Sequence, residues 1–331
     1  MRRIIGFLAA MSCSWPVLAA DALPALKLDP DSLTVSGVSS GGYMAVQYQV
    51  AYSGKVAGAG VVSAGPWYCA QESITRALGE CMKGVDPAPD TAALIAAARR
   101  AAEAATIDDL NGLAADRVWV FHGSKDTKVA RPVSDALVEF YRAFIPAENI
   151  RYETGVAAAH GFPTLDDGIA CDRSGEPWLN DCDYDAAGRL LEQLYGPLKP
   201  RGKASDDRLQ AFDQHRYAQS GALSTLEPFG FVYVPKRCEK GDGCRIHVAF
   251  HGCRQGTSFV GKAFVRNAGY NDWAESNDIV VLYPQAAKSM FMPLNPQGCW
   301  DWWGYTGADY ATRDGAQLVT VRRMLEALGL R

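Results

Sequence analysis

Short apolar runs alternate with longer helical segments along the chain, and this pattern predicts an α/β fold. The runs are rich in small or β-branched residues, which is typical of strands that are buried on both faces of a sheet. The predicted strands lie at about 33–36, 56–64, 117–121, 150–154, 229–234, 245–250 and 278–284. The predicted helices lie at about 91–105, 132–144, 186–195 and 314–328. Because strands and helices alternate, we expect a mostly parallel central sheet with helices flanking it.

The sequence Gly-Val-Ser-Ser-Gly at residues 37–41 fits the pattern G-x-S-x-G. It lies between the first predicted strand and an apolar segment with helical character, which is the setting of a nucleophile elbow. In such an elbow the serine, here Ser39, occupies a sharp strand-to-helix turn, and Gly37 and Gly41 lie where a Cβ would collide with neighbouring backbone. The alternative is a glycine-rich turn that matches by chance. The catalytic interpretation therefore requires a base, an acid and an oxyanion hole elsewhere in the chain.

Two residues that follow later strands can supply the acid and the base. A nucleophilic serine needs a base within hydrogen-bonding reach and a carboxylate that holds this base. In α/β-hydrolases the order along the chain is serine, acid, histidine, each on a loop at the carboxyl end of a strand. Asp126 follows strand 117–121 and His160 follows strand 150–154, so both fit this order after Ser39. Other histidines fit less well, since a structural role is expected for His122, a solvated position for His215 and a packed position for His247.

The oxyanion hole of such enzymes combines the amide that follows the nucleophile with an amide from an earlier strand–helix loop. Ser40 supplies the first amide. The second is missing upstream, because only about a dozen mature residues precede the elbow strand. A loop of the required kind, His251-Gly252-Cys253, instead follows strand 245–250. The strands that normally come first therefore come last, which predicts a circularly permuted α/β-hydrolase whose last helix packs where the helix before the elbow strand usually lies.

The composition excludes several classes of partner. The chain has 331 residues, of which 48% are hydrophobic and 21% charged, as in ordinary soluble globular proteins. Its formal net charge is −4 and it has no basic run, so nucleic acid and anionic membrane surfaces are not expected as partners. The region at about 164–225 is polar and lacks apolar periodicity outside helix 186–195, but no repeat or low-complexity linker divides the chain. A single catalytic domain, residues 21–331, is the simplest organisation.

The first 20 residues have the features of a signal peptide. Arg2 and Arg3 form a charged start, residues 4–10 form an apolar core, and cleavage is expected after Ala19 or Ala20. The apolar core is too short to span a membrane, and no later segment is long and apolar enough. The sequence therefore predicts a protein that is secreted, to the periplasm or the medium, without membrane insertion.

Eight cysteines follow the predicted signal peptide: Cys69, Cys81, Cys171, Cys182, Cys238, Cys244, Cys253 and Cys299. An even number in an exported chain indicates disulfide bonds. Spacing suggests three neighbouring pairs, Cys69–Cys81, Cys171–Cys182 and Cys238–Cys244, which leaves Cys253 with Cys299. Metal binding is the alternative, but no C-x-x-C pair occurs and no histidine lies at ligand spacing from a cysteine cluster. No metal site is therefore predicted.

Five motifs carry a resemblance to a known family. They are the elbow at 37–44, Gly-Ser-Lys-Asp-Thr at 123–127, Ala-His-Gly-Phe-Pro-Thr at 159–164, His-Gly-Cys-Arg-Gln at 251–255 and Gly-Cys-Trp-Asp-Trp-Trp-Gly-Tyr at 298–305. In this order they resemble the poly(3-hydroxybutyrate) depolymerases with a permuted catalytic domain, and above all the single-domain, fungal-type secreted enzyme. The resemblance covers nearly the whole mature chain. Unlike the multidomain members, the chain shows no linker and no separate polymer-binding domain.

The resemblance implies a role for each site residue. It makes Ser39 the nucleophile, His160 the base and Asp126 the partner of the base. It assigns the oxyanion hole to the amides of Ser40 and Cys253.

The resemblance also places one tryptophan of the pair Trp302 and Trp303 at the substrate crevice. Two adjacent side chains on an extended stretch point in opposite directions, so at least one of them is hard to bury in the same core. We therefore expect one of these side chains to line an apolar groove that leads to Ser39.

The expected function is hydrolysis of poly(3-hydroxybutyrate), or of a related short-chain polyhydroxyalkanoate, by a serine esterase that forms an acyl-enzyme. A polyester is the expected substrate, no cofactor is implied, and a monomer is expected. A first alternative is an esterase that acts on feruloyl or acetyl esters of plant walls, because such enzymes share secretion and the elbow. A second alternative is a catalytically inactive binding protein on the same fold, against which the complete triad in the expected order argues.

Overall fold

The central sheet contains nine strands, counted over the part of the chain that the structure describes. This computed structural model describes residues 22–84, 87–219, 222 and 225–330. The predicted signal peptide, residues 1–20, lies outside the described residues.

The observed strands and helices follow the apolar pattern closely. The strands are β1 Lys27–Leu28, β2 Thr34–Val38, β3 Gly58–Val62, β4 Arg117–Phe121, β5 Ile150–Glu153, β6 Phe162–Thr164, β7 Ile169–Ala170, β8 Leu179–Asp181, β9 Leu209–Asp213, β10 Phe229–Tyr233, β11 Asp242–Phe250 and β12 Ile279–Tyr283. The helices are α1 Ser40–Ala51, α2 Ile74–Leu78, α3 Glu80–Lys83, α4 Thr91–Glu103, α5 Arg131–Arg142, α6 Ala186–Tyr195, α7 Thr257–Val260, α8 Ala263–Asn267, α9 Tyr270–Asn277 and α10 Ala316–Leu328. Strand β4 and helix α6 coincide with their predicted segments, and the other predicted elements agree to within a few residues.

The order of strands in the main sheet is β5-β4-β3-β2-β11-β12-β10-β9, and β1 pairs with the start of β11. The six strands from β5 to β12 in this order are parallel, and β10 and β9 continue the sheet in antiparallel fashion. Strands β11 and β12 thus enter the sheet beside β2, although they come last in the chain. This order confirms the predicted α/β-hydrolase sheet in its circularly permuted form.

The last helix closes the permuted chain. The amide of Leu26 donates to the carbonyl of Leu328 at 2.8 Å, so the end of α10 lies beside the segment that leads into β2. In an unpermuted chain a helix in this position would run directly into the elbow strand. The observed position of α10 therefore agrees with the position expected for the C-terminal helix.

The sheet separates two layers of apolar packing. On one face of the sheet, Val280 belongs to an apolar cluster with residues of α1, α5 and α10. On the other face, Val281 belongs to a cluster with residues of α6, α8 and α9. All five residues of β2, β3 and β12 are buried, as expected for strands covered on both faces. Complete burial of a large aliphatic side chain stabilises the fold by about 1.5–3 kcal/mol. The two layers leave the carboxyl ends of the parallel strands free for the loops of the site.

Several elements were not predictable from apolar periodicity. They are β1, α2, α3, α7–α9, β9, and a small sheet in the order β6-β8-β7. Strands of two or three residues are too short to show a period, and β9 has both exposed and buried positions. His215, which is expected to be solvated, is half-buried and thus partly exposed, and its Nε2 also lies 3.0 Å from the carbonyl oxygen of Leu226.

Within residues 22–330, the helices described by the structure are all too short or too polar to cross a lipid bilayer.

Candidate active site

The nucleophile elbow forms where strand β2 ends and helix α1 begins. Ser39 occupies the turn with φ 56° and ψ −122°, a sparsely populated conformation that costs about 1–3 kcal/mol. A Cβ on Gly37 would lie 2.2 Å from the carbonyl oxygen of Gly41, and one on Gly41 would lie 2.3 Å from that of Phe250. The two glycines therefore permit the strained turn. The amide of Ser39 anchors it by donating to the carbonyl of Val62 at 2.9 Å.

Asp126 and His160 form a buried hydrogen-bonded pair. His160 Nδ1 lies 2.8 Å from Asp126 Oδ2, and the two side chains are 9% and 0% exposed. Asp126 Oδ1 accepts from the amides of Lys128 and Val129 at 2.8 and 3.0 Å. Burial would raise the pKa of Asp126, but hydrogen bonds from His160, Ser63 and Val129 outweigh burial and hold that pKa below its ordinary value. The ionised carboxylate therefore accepts from Nδ1–H, which leaves Nε2 to take up a proton.

The loop that carries His160 is held on the small sheet. The amide of His160 donates to Ser174 Oγ at 3.1 Å, and a Cβ on Gly161 would lie 1.7 Å from Asn180 Oδ1. The indole of Trp178 stands edge-on to the imidazole, with 6.2 Å between the ring centroids. Trp178 lines the same crevice as His160, yet no motif or spacing in the sequence marks it. Its position beside the histidine follows only from the fold.

Ser39 and His160 open into one crevice of about 810 Å³ at the carboxyl end of the sheet. Large apolar side chains from separate segments line it, among them Met82, Val129 and Leu294. A mostly apolar cleft with a few polar groups is the usual form of a site for an organic ligand. Among the described residues, no three His, Cys, Asp or Glu side chains converge as a metal site would require.

The two proposed oxyanion donors belong to neighbouring elements. A Cβ on Gly41 would touch the carbonyl oxygens of Phe250 and His251, so the start of α1 packs directly against the end of β11. Ser40 and Cys253 consequently both line the same crevice as Ser39. The structure thus brings together two residues that lie more than 200 positions apart in the chain.

His251, a neutral and buried histidine, orients the backbone amide of Cys253. His251 Nδ1 donates to the carbonyl of Gly252 at 2.7 Å, and its Nε2 accepts from the amide of Ala286 at 3.0 Å. Burial lowers the pKa of His251 to about 4, so the ring is neutral at physiological pH. Because the peptide is planar and trans, the held carbonyl of Gly252 directs the N–H of Cys253 the opposite way.

Trp302 and Trp303 both line the crevice. Trp302 is 6% exposed and stacks on Tyr43 with ring centroids 4.5 Å apart, whereas Trp303 is half-buried and packs edge-on against Trp302. Their loop turns sharply, because the buried carboxyl of Asp301 accepts from the amides of residues 304–306 at 2.7, 3.0 and 2.8 Å. The expectation of an extended stretch with opposed side chains is therefore wrong, since the turned loop places both residues at the crevice.

The structure joins the eight cysteines in four disulfides, Cys69–Cys81, Cys171–Cys182, Cys238–Cys244 and Cys253–Cys299. These are the pairs that the spacing suggests. The bond between Cys253 and Cys299 has a sequence separation of 46 and ties the oxyanion loop to the tryptophan loop. The bond between Cys171 and Cys182 ties the ends of β7 and β8, next to the histidine loop.

Comparison with curated proteins relates the chain to two named enzymes, although no protein-family model matches it. It is 41% identical over 315 residues to a poly(3-hydroxybutyrate) depolymerase of Delftia acidovorans, and the aligned region covers 94% of this chain and 62% of that protein. It is 36% identical over 321 residues to a polyhydroxybutyrate depolymerase of Talaromyces funiculosus, and the aligned region covers 92% of this chain and 91% of that protein. The chain thus spans less than two thirds of the bacterial relative but nearly all of the fungal one.

Two solved structures share the fold, each with a TM-score of 0.86 over 93% of this chain and 99% of the solved chain. One, 33% identical, is the PHB depolymerase from Penicillium funiculosum. The other, 32% identical, is a PHB depolymerase with a serine-to-alanine substitution, complexed with an R3HB trimer. Sequence identity over most of the fungal relative and agreement of the whole fold lead to one conclusion: this chain belongs to the polyhydroxybutyrate depolymerase family.

Proposed function

We propose that this chain is a secreted serine esterase that hydrolyses poly(3-hydroxybutyrate), or a related short-chain polyhydroxyalkanoate, through an acyl-enzyme. The observation that carries the proposal is the meeting of a strained Ser39 and the Asp126–His160 pair at one apolar crevice. The R3HB trimer bound by a solved relative supports the same class of substrate here.

The proposed reaction uses each group in a defined step. Ser39 Oγ attacks the ester carbonyl while His160 Nε2 takes up the hydroxyl proton, and Asp126 stabilises the imidazolium that forms. The amides of Ser40 and Cys253 donate to the oxyanion of the tetrahedral intermediate. His160 then passes the proton to the leaving alkoxide, which departs with a free hydroxyl end. A water molecule, deprotonated by the same imidazole, attacks the acyl-enzyme. The imidazolium then returns the proton to Ser39 Oγ as the ester bond to the serine breaks and the acid is released.

An exposed apolar rim favours a polymer over a small soluble ester. The rim consists of Ile74 and Leu78 on α2 and of Met290, Phe291 and Met292 on a short hairpin. The three hairpin side chains are 69%, 83% and 88% exposed. Ile74, Leu78 and Met292 also line the crevice, and exposed apolar side chains gathered at a cleft are typical of an interaction site. We propose that this rim contacts the methyl-bearing surface of the polyester, and that Trp302 and Trp303 form the wall of the groove beyond it.

The two alternative functions have weaker support. A feruloyl or acetyl esterase would use the same elbow, but the named relatives and the bound trimer concern hydroxybutyrate. An inactive binding protein would not need the strained Ser39 together with a buried and ionised Asp126.

We also propose that residues 1–20 are removed on export, that residues 21–331 act as one catalytic domain, and that the enzyme works as a monomer. The four disulfides support an oxidising compartment. The intact mass of the exported protein should correspond to a chain that begins after Ala19 or Ala20. Sedimentation should give the mass of one chain.

A comparison of three substrates tests the proposed activity. The mature protein should clear a poly(3-hydroxybutyrate) suspension and hydrolyse p-nitrophenyl butyrate, with little action on methyl ferulate. Ser39→Ala should lower the rate on both active substrates by about 10³-fold or more, because the nucleophile is lost. Folding of the variant is checked by its thermal unfolding. Preference for the ferulate, or a folded Ser39→Ala variant with near-normal rates, would contradict the proposal.

A further inference from the structure

One buried side chain, that of Gln255, bridges two loops that carry different parts of the proposed site. Gln255 is 1% exposed. Its Oε1 accepts from the amide of Gly252 at 2.7 Å, and its Nε2 donates to the carbonyls of Trp178 and Pro177 at 2.9 and 3.3 Å. One backbone donor and two backbone acceptors fix which end of the side-chain amide is oxygen and which is nitrogen. The side chain therefore acts as a bridge with a defined direction.

On the oxyanion side, the bridge completes the support of Gly252. The carbonyl of Gly252 is held by His251 Nδ1 at 2.7 Å. Gln255 Oε1 holds the N–H of the same residue. Because both backbone groups of Gly252 are held, the N–H of Cys253 in the adjoining peptide has a fixed direction. Gln255 itself makes its hydrogen bond to the N–H of Gly252 and not to that of Cys253.

On the histidine side, the bridge ends at the segment that packs against the base. The carbonyl of Trp178 accepts from Gln255 Nε2 and also, at 2.8 Å, from the amide of Phe162. Phe162 lies two residues after His160. The indole of Trp178 lies edge-on to the imidazole of His160. A shift of Gln255 would therefore move the wall behind the base as well as the oxyanion loop.

We propose that Gln255 is a positioning residue that sets the distance between the oxyanion donor and the histidine loop. The inference rests on the proposed function, since it requires the Cys253 amide to act on the oxyanion. A second link between the same loops, the ion pair of Arg254 and Glu176 at 2.7 Å, has side chains that are 48% and 42% exposed. Exposed ion pairs of this kind contribute little, so the buried amide is the link that holds the geometry.

Two substitutions separate positioning from simple loss of stability. Gln255→Glu keeps the acceptor and the length but cannot donate to two carbonyls, and Gln255→Met keeps the length without hydrogen bonds. Asn277→Asp is the matched control. The side chain of Asn277 is 3% exposed, accepts from the amide of Lys199 at 2.7 Å and donates to the carbonyls of Lys199 and Trp273 at 3.2 and 3.0 Å. It precedes β12, at the opposite end of the sheet from the crevice.

The measurements are kcat and KM for p-nitrophenyl butyrate, inhibition by butylboronic acid, and thermal unfolding. The boronic acid reports on the oxyanion donors, because it forms a tetrahedral adduct with the nucleophile. Both Gln255 variants should lose about 10- to 100-fold in kcat and in affinity for the boronic acid, with KM nearly unchanged. Asn277→Asp should lose thermal stability but keep kcat and boronic acid affinity within about twofold, since it touches no part of the site.

The inference is overturned if the folded Gln255 variants keep kcat and boronic acid affinity at the level of Asn277→Asp. If the charged variant does not fold, the uncharged Gln255→Met carries the same test. Failure of the proposed function is a separate result, because it would appear as retained activity in Ser39→Ala. Strong dependence on Ser39 together with unaffected Gln255 variants would remove only the positioning role.

Discussion

The elbow half of the site, residues 34–164, and the loop half, residues 251–305, are held by different interactions. In the elbow half, Ser39 lies between a buried strand and a buried helix, where close backbone contacts leave room only for glycine. In the loop half, the tryptophan loop has no regular structure and is held by the Asp301 carboxyl and one disulfide. Ser39 is thus placed between regular elements, whereas the tryptophan pair is placed on a loop.

This difference separates two requirements of the proposed polyester hydrolase. A nucleophile must keep its position to within a fraction of an ångström, which the strand and the helix on either side of Ser39 ensure. The wall of a groove can vary with the substrate, and loops tolerate such variation. Substitutions in the elbow half, and in residues 251–255 of the loop half, should therefore affect all substrates, whereas those in the tryptophan loop, residues 298–305, should distinguish polymer from soluble ester.

The largest effect is expected from Gly41→Ala in the elbow half. Its Cβ would lie 2.3 and 2.4 Å from the backbone oxygens of Phe250 and His251, which cannot move without displacing β11. We expect a loss of about 3 kcal/mol in the free energy of unfolding and loss of hydrolysis of every ester. Gly155→Ala is the control, because nothing lies within 4 Å of its Cβ, and it should change stability by less than about 0.5 kcal/mol. Equal urea midpoints for the two variants would show that the elbow is not tightly packed.

The next effect concerns the disulfide that joins the two loops of the loop half. Replacing both Cys253 and Cys299 by serine should cost about 2–4 kcal/mol of stability and lower kcat, because the oxyanion amide loses its covalent anchor. The control replaces Cys238 and Cys244, whose bond has a sequence separation of 6, compared with 46 for Cys253–Cys299. The control should lose less stability, because its closed loop is short, and should keep kcat, because it lies at the amino end of β11. Equal kcat values for the two double variants would contradict a link between this bond and the oxyanion hole.

A smaller effect should distinguish polymer from soluble ester. Trp303→Ala and Phe291→Ser should each lower the ratio of polymer clearing to p-nitrophenyl butyrate hydrolysis about fivefold, which is roughly 1 kcal/mol. Only the longer substrate reaches beyond the scissile bond to these side chains, so only its transition state loses their contacts. Thermal unfolding of each variant is measured in parallel. If both activities fall together in proportion to lost stability, these side chains support the fold and do not bind polymer.

The smallest effect concerns acid. Because the pKa of Asp126 is lowered in the folded protein, its carboxylate contributes stability above its unfolded pKa of about 3.9, and this contribution is lost as the pH falls through the folded pKa. The stability difference between the native protein and Asp126→Asn should therefore shrink below about pH 4. Urea unfolding at several pH values measures it. A difference that stays constant down to acid pH would mean that the carboxyl is not ionised in the fold.

Apolar periodicity and turn chemistry were enough to predict the strands from β2 to β5 and from β10 to β12, the elbow, and the pairing of Asp126 with His160. Asp126 and His160 are 34 positions apart, but each follows a parallel strand, and the carboxyl ends of parallel strands meet at one edge of the sheet. The permutation was predictable for the same reason, since the missing oxyanion loop had to follow another strand at that edge. These features depend on local patterns, which a sequence displays directly.

Only the tertiary structure decided how the loops between these elements meet. Gln255 and Trp178 are 77 positions apart, and neither belongs to a periodic segment that would reveal its partner. The turn of the tryptophan loop depends likewise on a single buried carboxyl, Asp301, so a rule for extended chains failed there. The exposure of the side chains at Met290–Met292 was not predictable either, because it depends on which other segments cover them in the fold. Contacts between irregular segments depend on the packing of the whole chain, and such packing leaves no period in the sequence.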